Sequence, residues 1–140
     1  MKVNVYLNFN GDTEKAFNFY RSVFGGEFTG LQRFKEMGAE QGMSAEDGEK
    51  IMHITLPVGE NMVLNATDAL ESMGRTFTAG NNFSLMLEPE SKTEADRLFS
   101  LLSANGNVEV PMQDMFWGDY YGAFTDQFGV EWMINYSYPR

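Results

Sequence analysis

The sequence repeats one succession of hydrophobicity patterns, and this repeat restricts the possible folds more than any other feature. Each half begins with an alternating apolar and polar segment, continues with an apolar stripe of period 3.6, and ends with three further strand-like segments. These patterns predict strand, helix, strand, strand and strand, twice over. We therefore interpret the chain as an α+β protein of two tandem βαβββ modules, related by an internal repeat of about 80 residues.

Matching residues mark the two copies. Thr13 and Thr93 stand at the predicted helix starts, and Gly26 and Gly106 stand after the helix ends. Glycine suits such an end because it tolerates a left-handed backbone. We expect one domain over residues 1–140, divided into a first module, a connection and a second module at about 1–68, 69–81 and 82–140.

The first half is predicted to contain four strands and one helix. The strands are predicted over residues 3–9, 28–34, 51–57 and 62–66. Asp12 is the predicted N-cap of the helix, and Gly25 and Gly26 end it. The apolar stripe of the helix comprises Ala16, Phe19, Tyr20, Val23 and Phe24. Residues 35–49 are polar and rich in glycine, glutamate and alanine, and we predict a mobile loop there.

The second half follows the same plan. Its strands are predicted over residues 82–88, 108–112, 121–125 and 130–136. Ser91 and Glu94 form a predicted capping box at the start of the helix. Asn105 and Gly106 end the helix, whose apolar stripe comprises Ala95, Leu98, Phe99 and Leu102.

The charge balance argues against polyanionic partners. Twenty acidic residues and ten basic residues give a formal net charge of −10. Such a protein repels nucleic-acid phosphates and anionic membranes. No run of about 18 apolar residues occurs, and the N-terminal segment lacks the pattern of a secretion signal. We therefore expect a soluble cytoplasmic protein with neither nucleic acid nor membrane as a partner.

Two residue counts exclude whole classes of chemistry. The absence of cysteine excludes disulfides, thiolate nucleophiles, iron–sulfur clusters and cysteine zinc sites. The single histidine, His53, excludes metal sites that need two imidazoles, and a symmetric dimer would still give each equivalent site only one. The sequence also lacks a glycine-rich nucleotide-binding motif. We expect no cofactor.

Two motifs resemble those of a known family. Residues 6–27, YLNFNGDTEKAFNFYRSVFGGE, are similar to the opening of the PhnB-like branch of the vicinal-oxygen-chelate superfamily, which includes glyoxalase I, extradiol dioxygenases and bleomycin resistance proteins. Residues 116–135, FWGDYYGAFTDQFGVEWMIN, resemble the closing signature of that branch, with Gln127 in place of the usual proline. The resemblance covers essentially the whole chain. It implies a cupped mixed sheet with helices on its outer face, usually in a homodimer.

The resemblance also implies a divalent metal in the cup, held by residues from four strands. Here those positions fall on Val5, Leu64, Asn82 and Met133. Three of these side chains are apolar and an amide is a weak ligand, so we expect no metal. Glu131 lies on the same strand face as Met133 and is the one nearby carboxylate, which makes it a candidate catalytic base. Alternation places Val5 on an apolar face beneath the helix, whereas the resemblance places it in the cup, and both orientations stay open.

The segment KIMHITLPVG, residues 50–59, places His53 within a predicted strand. Strand alternation predicts two faces, one with Met52, Ile54 and Leu56 and the other with Ile51, His53 and Thr55. Because the apolar face should pack against helices, we predict that His53 and Thr55 face the cup or the solvent. His53 is then either a pocket residue that hydrogen-bonds a ligand or transfers a proton, or a structural surface residue.

The second module offers further pocket candidates. Asn82 and Ser84 share the polar face of their predicted strand, which lines the cup or faces solvent. Trp117, Tyr120 and Tyr121 combine aromatic rings with polar groups, which suits a ligand pocket, a dimer interface or a core.

Three functions stay open at this stage. The first is a small-molecule-binding protein without the superfamily's metal site. The second is a metal-dependent lyase or isomerase that uses His53 or Glu131 as a base. The third is a structural or regulatory role through a partner protein. The missing metal ligands favour the first.

Overall fold

The computed structural model describes residues 1–37 and 42–139, which divide into a unit Met1–Thr78 and a unit that begins at Ala79. The first unit contains β1 (Val5–Phe9), α1 (Thr13–Phe24), β2 (Gly30–Arg33), a 3₁₀ turn (Phe34–Met37), α2 (Ala45–Gly48), β3 (Ile51–Val58), β4 (Met62–Asp68) and a second 3₁₀ turn (Glu71–Met73). The second unit contains β5 (Leu85–Leu87), α3 (Lys92–Leu102), β6 (Asn107–Asp114), β7 (Asp119–Thr125) and β8 (Glu131–Ser137).

Both units have the same sheet topology. The strand order is β1-β4-β3-β2 in the first sheet and β5-β8-β7-β6 in the second. The pairs β1/β4 and β5/β8 are parallel, and the other neighbouring strands are antiparallel. Each sheet is therefore open and mixed. The prediction of two tandem βαβββ modules is confirmed.

The main helix of each unit packs on one face of its sheet. The core of the first unit combines Leu7, Phe9, Ile54, Leu56, Leu64 and Ala66 of the strands with Ala16, Phe17, Tyr20 and Val23 of α1. The core of the second unit combines Phe124, Trp132 and Ile134 with Ala95, Leu98 and Leu102 of α3. Phe17 lies outside the predicted stripe but is fully buried, whereas Phe19 is half-buried. Among the described residues, no helix is long and apolar enough to cross a membrane.

Gly26 and Gly106 occupy equivalent places because the chain passes close to the third strand of each unit there. A Cβ atom at Gly26 would lie 3.1 Å from the carbonyl oxygen of Pro57, and its φ of +85° also disfavours a side chain. A Cβ atom at Gly106 would lie 2.2 Å from the carbonyl oxygen of Thr125. Pro57 and Thr125 belong to the corresponding strands β3 and β7. The matching glycines thus reflect one close backbone approach, made twice.

The start of α1 differs from the prediction. Asp12 occupies the N-cap position, but its side chain makes no capping hydrogen bond. The buried carboxylate of Asp68, at the end of β4, takes over this role. Its Oδ1 accepts from the backbone N–H and the hydroxyl of Thr13, at 3.1 and 2.7 Å, and its Oδ2 accepts from the N–H of Ile51 at 2.8 Å. A single carboxylate therefore joins α1, β3 and β4.

The start of α3 agrees better with the prediction. Ser91 is the N-cap, and its hydroxyl accepts a hydrogen bond of 3.0 Å from the backbone N–H of Glu94. The carboxylate of Glu94 binds Arg97 through two hydrogen bonds, which makes an ion pair on the helix surface.

Two predicted segments have different boundaries. Strand β5 comprises only Leu85–Leu87, so Asn82 and Ser84 precede the strand that was expected to contain them. The predicted loop 35–49 contains most of a 3₁₀ turn, Phe34–Met37, and the short helix Ala45–Gly48, which Ser44 caps. Residues 38–41 of that predicted loop lie outside the described residues.

A β-bulge in β3 changes the faces that alternation predicts. Gln32 pairs with His53 but the next residue, Arg33, pairs with Ile51, so Met52 is the extra residue. Ile51 is only 1% exposed and its N–H binds the core carboxylate described above. Met52 joins His53 on the opposite face, where it lines a cleft. The predicted faces are therefore wrong for Ile51 and Met52.

Candidate functional site

The face of the first sheet opposite α1 carries polar side chains from three neighbouring strands. They are Tyr6 and Asn8 of β1, Asn65 and Thr67 of β4, and His53 and Thr55 of β3. The registers fix the orientation of β1, which the sequence leaves open. Val5 pairs with the fully buried Leu64, whereas Tyr6 pairs with Asn65. Val5 thus belongs to the helix-covered side.

Four of these side chains form a continuous hydrogen-bond chain. The Tyr6 hydroxyl lies 3.0 Å from Nδ1 of His53, and Nε2 of His53 lies 2.8 Å from the hydroxyl of Thr55. The Thr55 hydroxyl lies 2.8 Å from Oδ1 of Asn65, whose amide nitrogen lies 3.1 Å from the carbonyl oxygen of Val5. The Tyr6 side chain therefore reaches across β4 to β3.

The carbonyl group of Val5 sets the direction of every bond in the chain, because a carbonyl oxygen can only accept. The Asn65 amide must present its NH₂ group to that oxygen and its Oδ1 to Thr55. Thr55 therefore donates its one proton to Asn65 and accepts from Nε2–H of His53. In the neutral imidazole, Nδ1 then carries no proton and accepts the hydrogen bond of the Tyr6 hydroxyl. The Tyr6 oxygen keeps its lone pairs for a ligand.

Tyr6 also lines an open cleft of about 450 Å³ in the first unit. The cleft is lined by Tyr6, Asn8, Phe34, Met52, Thr67, Leu70, Met73 and Arg75. Half of these side chains are apolar and the rest can form hydrogen bonds. Such a mixture is typical of sites for small organic molecules.

Arg75 is held over this cleft by the backbone that precedes it. After the 3₁₀ turn Glu71–Met73, Gly74 adopts a left-handed conformation with φ +77°, and the N–H of Arg75 binds the carbonyl oxygen of Leu70 at 3.1 Å. This is the pattern of a Schellman motif. The Nη2 atom of Arg75 then donates a hydrogen bond of 3.0 Å to Oδ1 of Asn8.

The environment of Tyr6 favours its neutral phenol. Burial raises the pKa of Tyr6 above its usual value, and the positive charge of Arg75 acts in the opposite direction. The phenol therefore keeps its proton near neutral pH, as its hydrogen bond to His53 requires.

The other predicted pocket residues lie in the second unit and do not form one group. Trp117 makes edge-to-face contacts with Phe116 and Tyr121, at centroid distances of 5.1 and 5.9 Å. Tyr120 precedes Tyr121 in β7 and points to the opposite face of the sheet. There its hydroxyl donates a hydrogen bond of 2.5 Å to Asp96 of α3. This bond raises the pKa of Tyr120 to about 12.

The remaining candidates of the second unit are separated from that aromatic cluster in the sheet. Asn82 and Ser84 are exposed and precede β5. Glu131 is half-buried at the first position of β8, opposite Thr125. None of these three side chains has a hydrogen-bond partner in the described part of the chain.

The metal positions that the resemblance implies do not hold suitable ligands. Val5 and Leu64 face the helix-covered side, Asn82 lies outside the sheet, and Met133 pairs with Ala123 and Met86. The residues next to Val5 and Leu64, Tyr6 and Asn65, lie on the open face of the first sheet, and their side chains are a phenol and an amide. Within residues 1–37 and 42–139, no three His, Cys, Asp or Glu side chains are grouped to hold a metal ion. The side chains at the four implied ligand positions therefore do not fit a hard divalent cation.

Sequence reasoning named none of the eight residues that line the cleft as a site candidate, and it also missed Asn65 of the hydrogen-bond chain. Tyr6 and Asn65 occupy polar positions of alternating strands, so the pattern contains a signal for them, but the resemblance directs attention to their apolar neighbours Val5 and Leu64. Arg75 lies in the predicted connection and is one of ten basic residues. Nothing in the sequence pattern distinguishes it from the others.

Comparison with known proteins identifies the family. A sequence model of the Glyoxalase/Bleomycin resistance protein/Dioxygenase superfamily matches residues 2–134, nearly the whole chain. The chain belongs to this superfamily, and the predicted resemblance is confirmed.

Individual relatives agree with this assignment. Protein YjdN of Escherichia coli strain K12 is 32% identical over 143 aligned residues, which cover 96% of this chain and 95% of that protein. The crystal structure of protein PA1353 from Pseudomonas aeruginosa is 34% identical, covers 98% of both chains and has a TM-score of 0.83. The PhnB protein from Bacillus cereus is 24% identical, covers 98% of this chain and 100% of its own, and has a TM-score of 0.80, a likeness of fold.

Proposed function

We propose that this protein binds a small organic molecule in the cleft of its first unit, and that binding does not require a divalent metal. The observation that carries the proposal is the hydrogen-bond chain that ends at Tyr6, a residue that also lines the cleft. The hydrogen-bond chain fixes the direction of the Tyr6 hydroxyl before any ligand binds. A polar group fixed in this way beside apolar side chains is an arrangement suited to selective binding.

The same hydrogen-bond chain indicates that His53 contributes to ligand binding and not to proton transfer. Both ring nitrogens of His53 have hydrogen-bond partners: Nε2–H donates to Thr55, and the lone pair on Nδ1 accepts from Tyr6, so no lone pair of the ring is directed at the cleft. A general base must lie within hydrogen-bond reach of the proton that it removes. His53 acts instead as a positioning residue, because it orients the hydroxyl of Tyr6.

The test uses a library of small molecules and two matched variants. Compounds that raise the melting temperature of the purified protein are measured by titration calorimetry against Met73→Ser and Met86→Ser. Met73 lines the cleft and is 45% exposed, whereas Met86 is 51% exposed and lies in the second unit. We expect the Met73 variant to lose affinity and the Met86 variant to keep it. Equal effects of the two changes, or a library without a single stabilising compound, would contradict the proposal.

Elemental analysis tests the metal-independent part. Protein purified without a metal-affinity tag is exposed to magnesium, manganese, nickel and zinc, and dialysed. We expect less than about 0.1 metal ion per chain, because a built metal site binds close to one. A stoichiometric metal would instead support the alternative, a metal-dependent lyase or isomerase.

A further inference from the structure

We propose that the cleft selects ligands with one negative charge, and that a ligand carboxylate binds the guanidinium group of Arg75. This inference rests on the proposed function, since it requires that the cleft of the first unit binds a small molecule. It adds the chemical class of that molecule: a partly apolar monocarboxylate.

The first support is the position of Arg75. The backbone bond to Leu70 and the side-chain bond to Asn8 fix both ends of the residue. Asn8 uses one of the five N–H donors of the guanidinium group, so most of that group is available to a ligand. An arginine fixed in this way loses less conformational entropy on binding than a freely moving side chain, and its planar group matches the two oxygens of a carboxylate.

The second support is the charge around the cleft. Arg75 is the only charged residue among the eight that line it. No carboxylate of the described residues lies within ion-pairing distance of Arg75. In contrast, each of the other described arginines, Arg21, Arg33 and Arg97, pairs with a glutamate. With twice as many acidic as basic residues in the chain, a cation that is not neutralised is available for an anionic ligand.

The net charge of the protein limits the charge of the ligand. A phosphate monoester carries about −1.5 to −2 at pH 7 and meets one guanidinium group within a protein of charge −10. A carboxylate has a single charge, which Arg75 can balance. Phe34, Met52, Leu70 and Met73 offer apolar contacts for the rest of the ligand.

The experiment compares three probes that share a phenyl ring. We titrate 3-phenylpropionate, 3-phenylpropionamide and phenyl phosphate into the ¹⁵N-labelled protein, up to about 10 mM, which detects dissociation constants in the millimolar range. We expect the acid to shift the amide resonances of cleft residues and to bind at least about tenfold more tightly than the amide. We also expect the phosphate to bind more weakly than the carboxylate.

Two arginine variants complete the test. Arg75→Gln should lower the affinity for 3-phenylpropionate to that for the amide. Arg21→Gln, the same change in the same unit but on an arginine that contacts Glu27 and Phe28, should leave it unchanged. Equal binding of acid and amide at the cleft, or full affinity in Arg75→Gln, overturns the carboxylate inference while the small-molecule proposal stands. Absence of any cleft shift with the acid also overturns the inference, and the library experiment above decides separately on the proposed function.

Discussion

The hydroxyl of Tyr6 donates a hydrogen bond of 3.0 Å to Nδ1 of His53, across a strand that lies between them. The two residues are 47 positions apart in the chain. Their contact converts the only histidine into an orienting group for a tyrosine at the cleft. It also makes the arrangement open to a direct spectroscopic test.

We predict that neutral His53 carries its proton on Nε2. Because the chain contains one histidine, ¹⁵N-histidine labelling reports on this residue alone, and two-bond ¹H–¹⁵N couplings at alkaline pH identify the tautomer. Thr55→Val removes the acceptor of Nε2–H and should produce a mixture of tautomers. Thr125→Val, on a strand of the second unit, should change nothing. A dominant Nδ1–H form in the unchanged protein would refute the assigned direction of the chain.

We predict that Tyr6→Phe weakens ligand binding more than it weakens the fold. The change removes one neutral hydrogen bond to the ligand, worth about 1 kcal/mol or about fivefold in affinity. Tyr6 is 49% exposed, so the free energy of unfolding should fall by no more than about 0.5 kcal/mol. Titration calorimetry with a cleft-binding compound measures the first effect, and urea unfolding measures the second. Tyr121→Phe is the control for affinity, and a loss there equal to that of Tyr6→Phe would remove the special role of Tyr6.

We predict that Asp68→Asn lowers the free energy of unfolding by about 3 kcal/mol. Asp68 is 1% exposed and accepts three hydrogen bonds with its two oxygens. An asparagine amide offers one acceptor oxygen, and its NH₂ group would face a buried donor. Asp12→Asn is the control, since Asp12 makes no side-chain cap bond and should change the stability little. Urea unfolding measures both variants. Equal losses in the free energy of unfolding would contradict the role assigned to Asp68.

We predict that the ion pair between Glu14 and Arg33 stabilises the fold only at pH values at which Glu14 is ionised. Two hydrogen bonds of 3.0 and 2.8 Å from Arg33 lower the pKa of Glu14. A carboxylate with a lowered pKa stabilises the folded state above its unfolded pKa, about 4.3 for glutamate, and this contribution disappears as the pH falls through the folded value.

Urea unfolding at a series of pH values tests this expectation. The difference between the unchanged protein and Glu14→Gln should be about 0.5 kcal/mol near neutral pH, because the pair is partly exposed, and should vanish at strongly acidic pH. Glu27→Gln removes the partner of a longer contact, 3.7 Å from Arg21, and should give a smaller difference throughout. A Glu14 effect that grows toward acidic pH would exclude the proposed pairing.

The repeat was predictable because it depends on local periodicity. Apolar residues recur every second or every third to fourth position whatever their neighbours in space, and glycines mark the ends of both helices. The boundary of β5 was not predictable in this way, because the alternation continues to Asn82 although only three residues pair with β8.

The candidate site was only partly predictable. Alternation predicts that His53 and Thr55 face the cup or the solvent, and both belong to one hydrogen-bond chain. Neither is among the residues that line the cleft. Tyr6 joins that hydrogen-bond chain because β4 lies between β1 and β3 in the sheet. This strand order cannot be inferred from local periodicity. The bulge at Met52 moves a residue from one face to the other, and no periodic pattern encodes it.

The sequence by itself determined the two βαβββ modules and the superfamily, since these follow from periodicity and motif. Only the tertiary structure decided which face of β1 is open, which hydroxyl groups lie beside the two ring nitrogens of His53, and that Arg75 lies over the cleft. The physical reason is that each of these depends on contacts between residues distant in the chain. The bond from Asn65 to the carbonyl oxygen of Val5, 60 positions away, sets the direction of the whole hydrogen-bond chain.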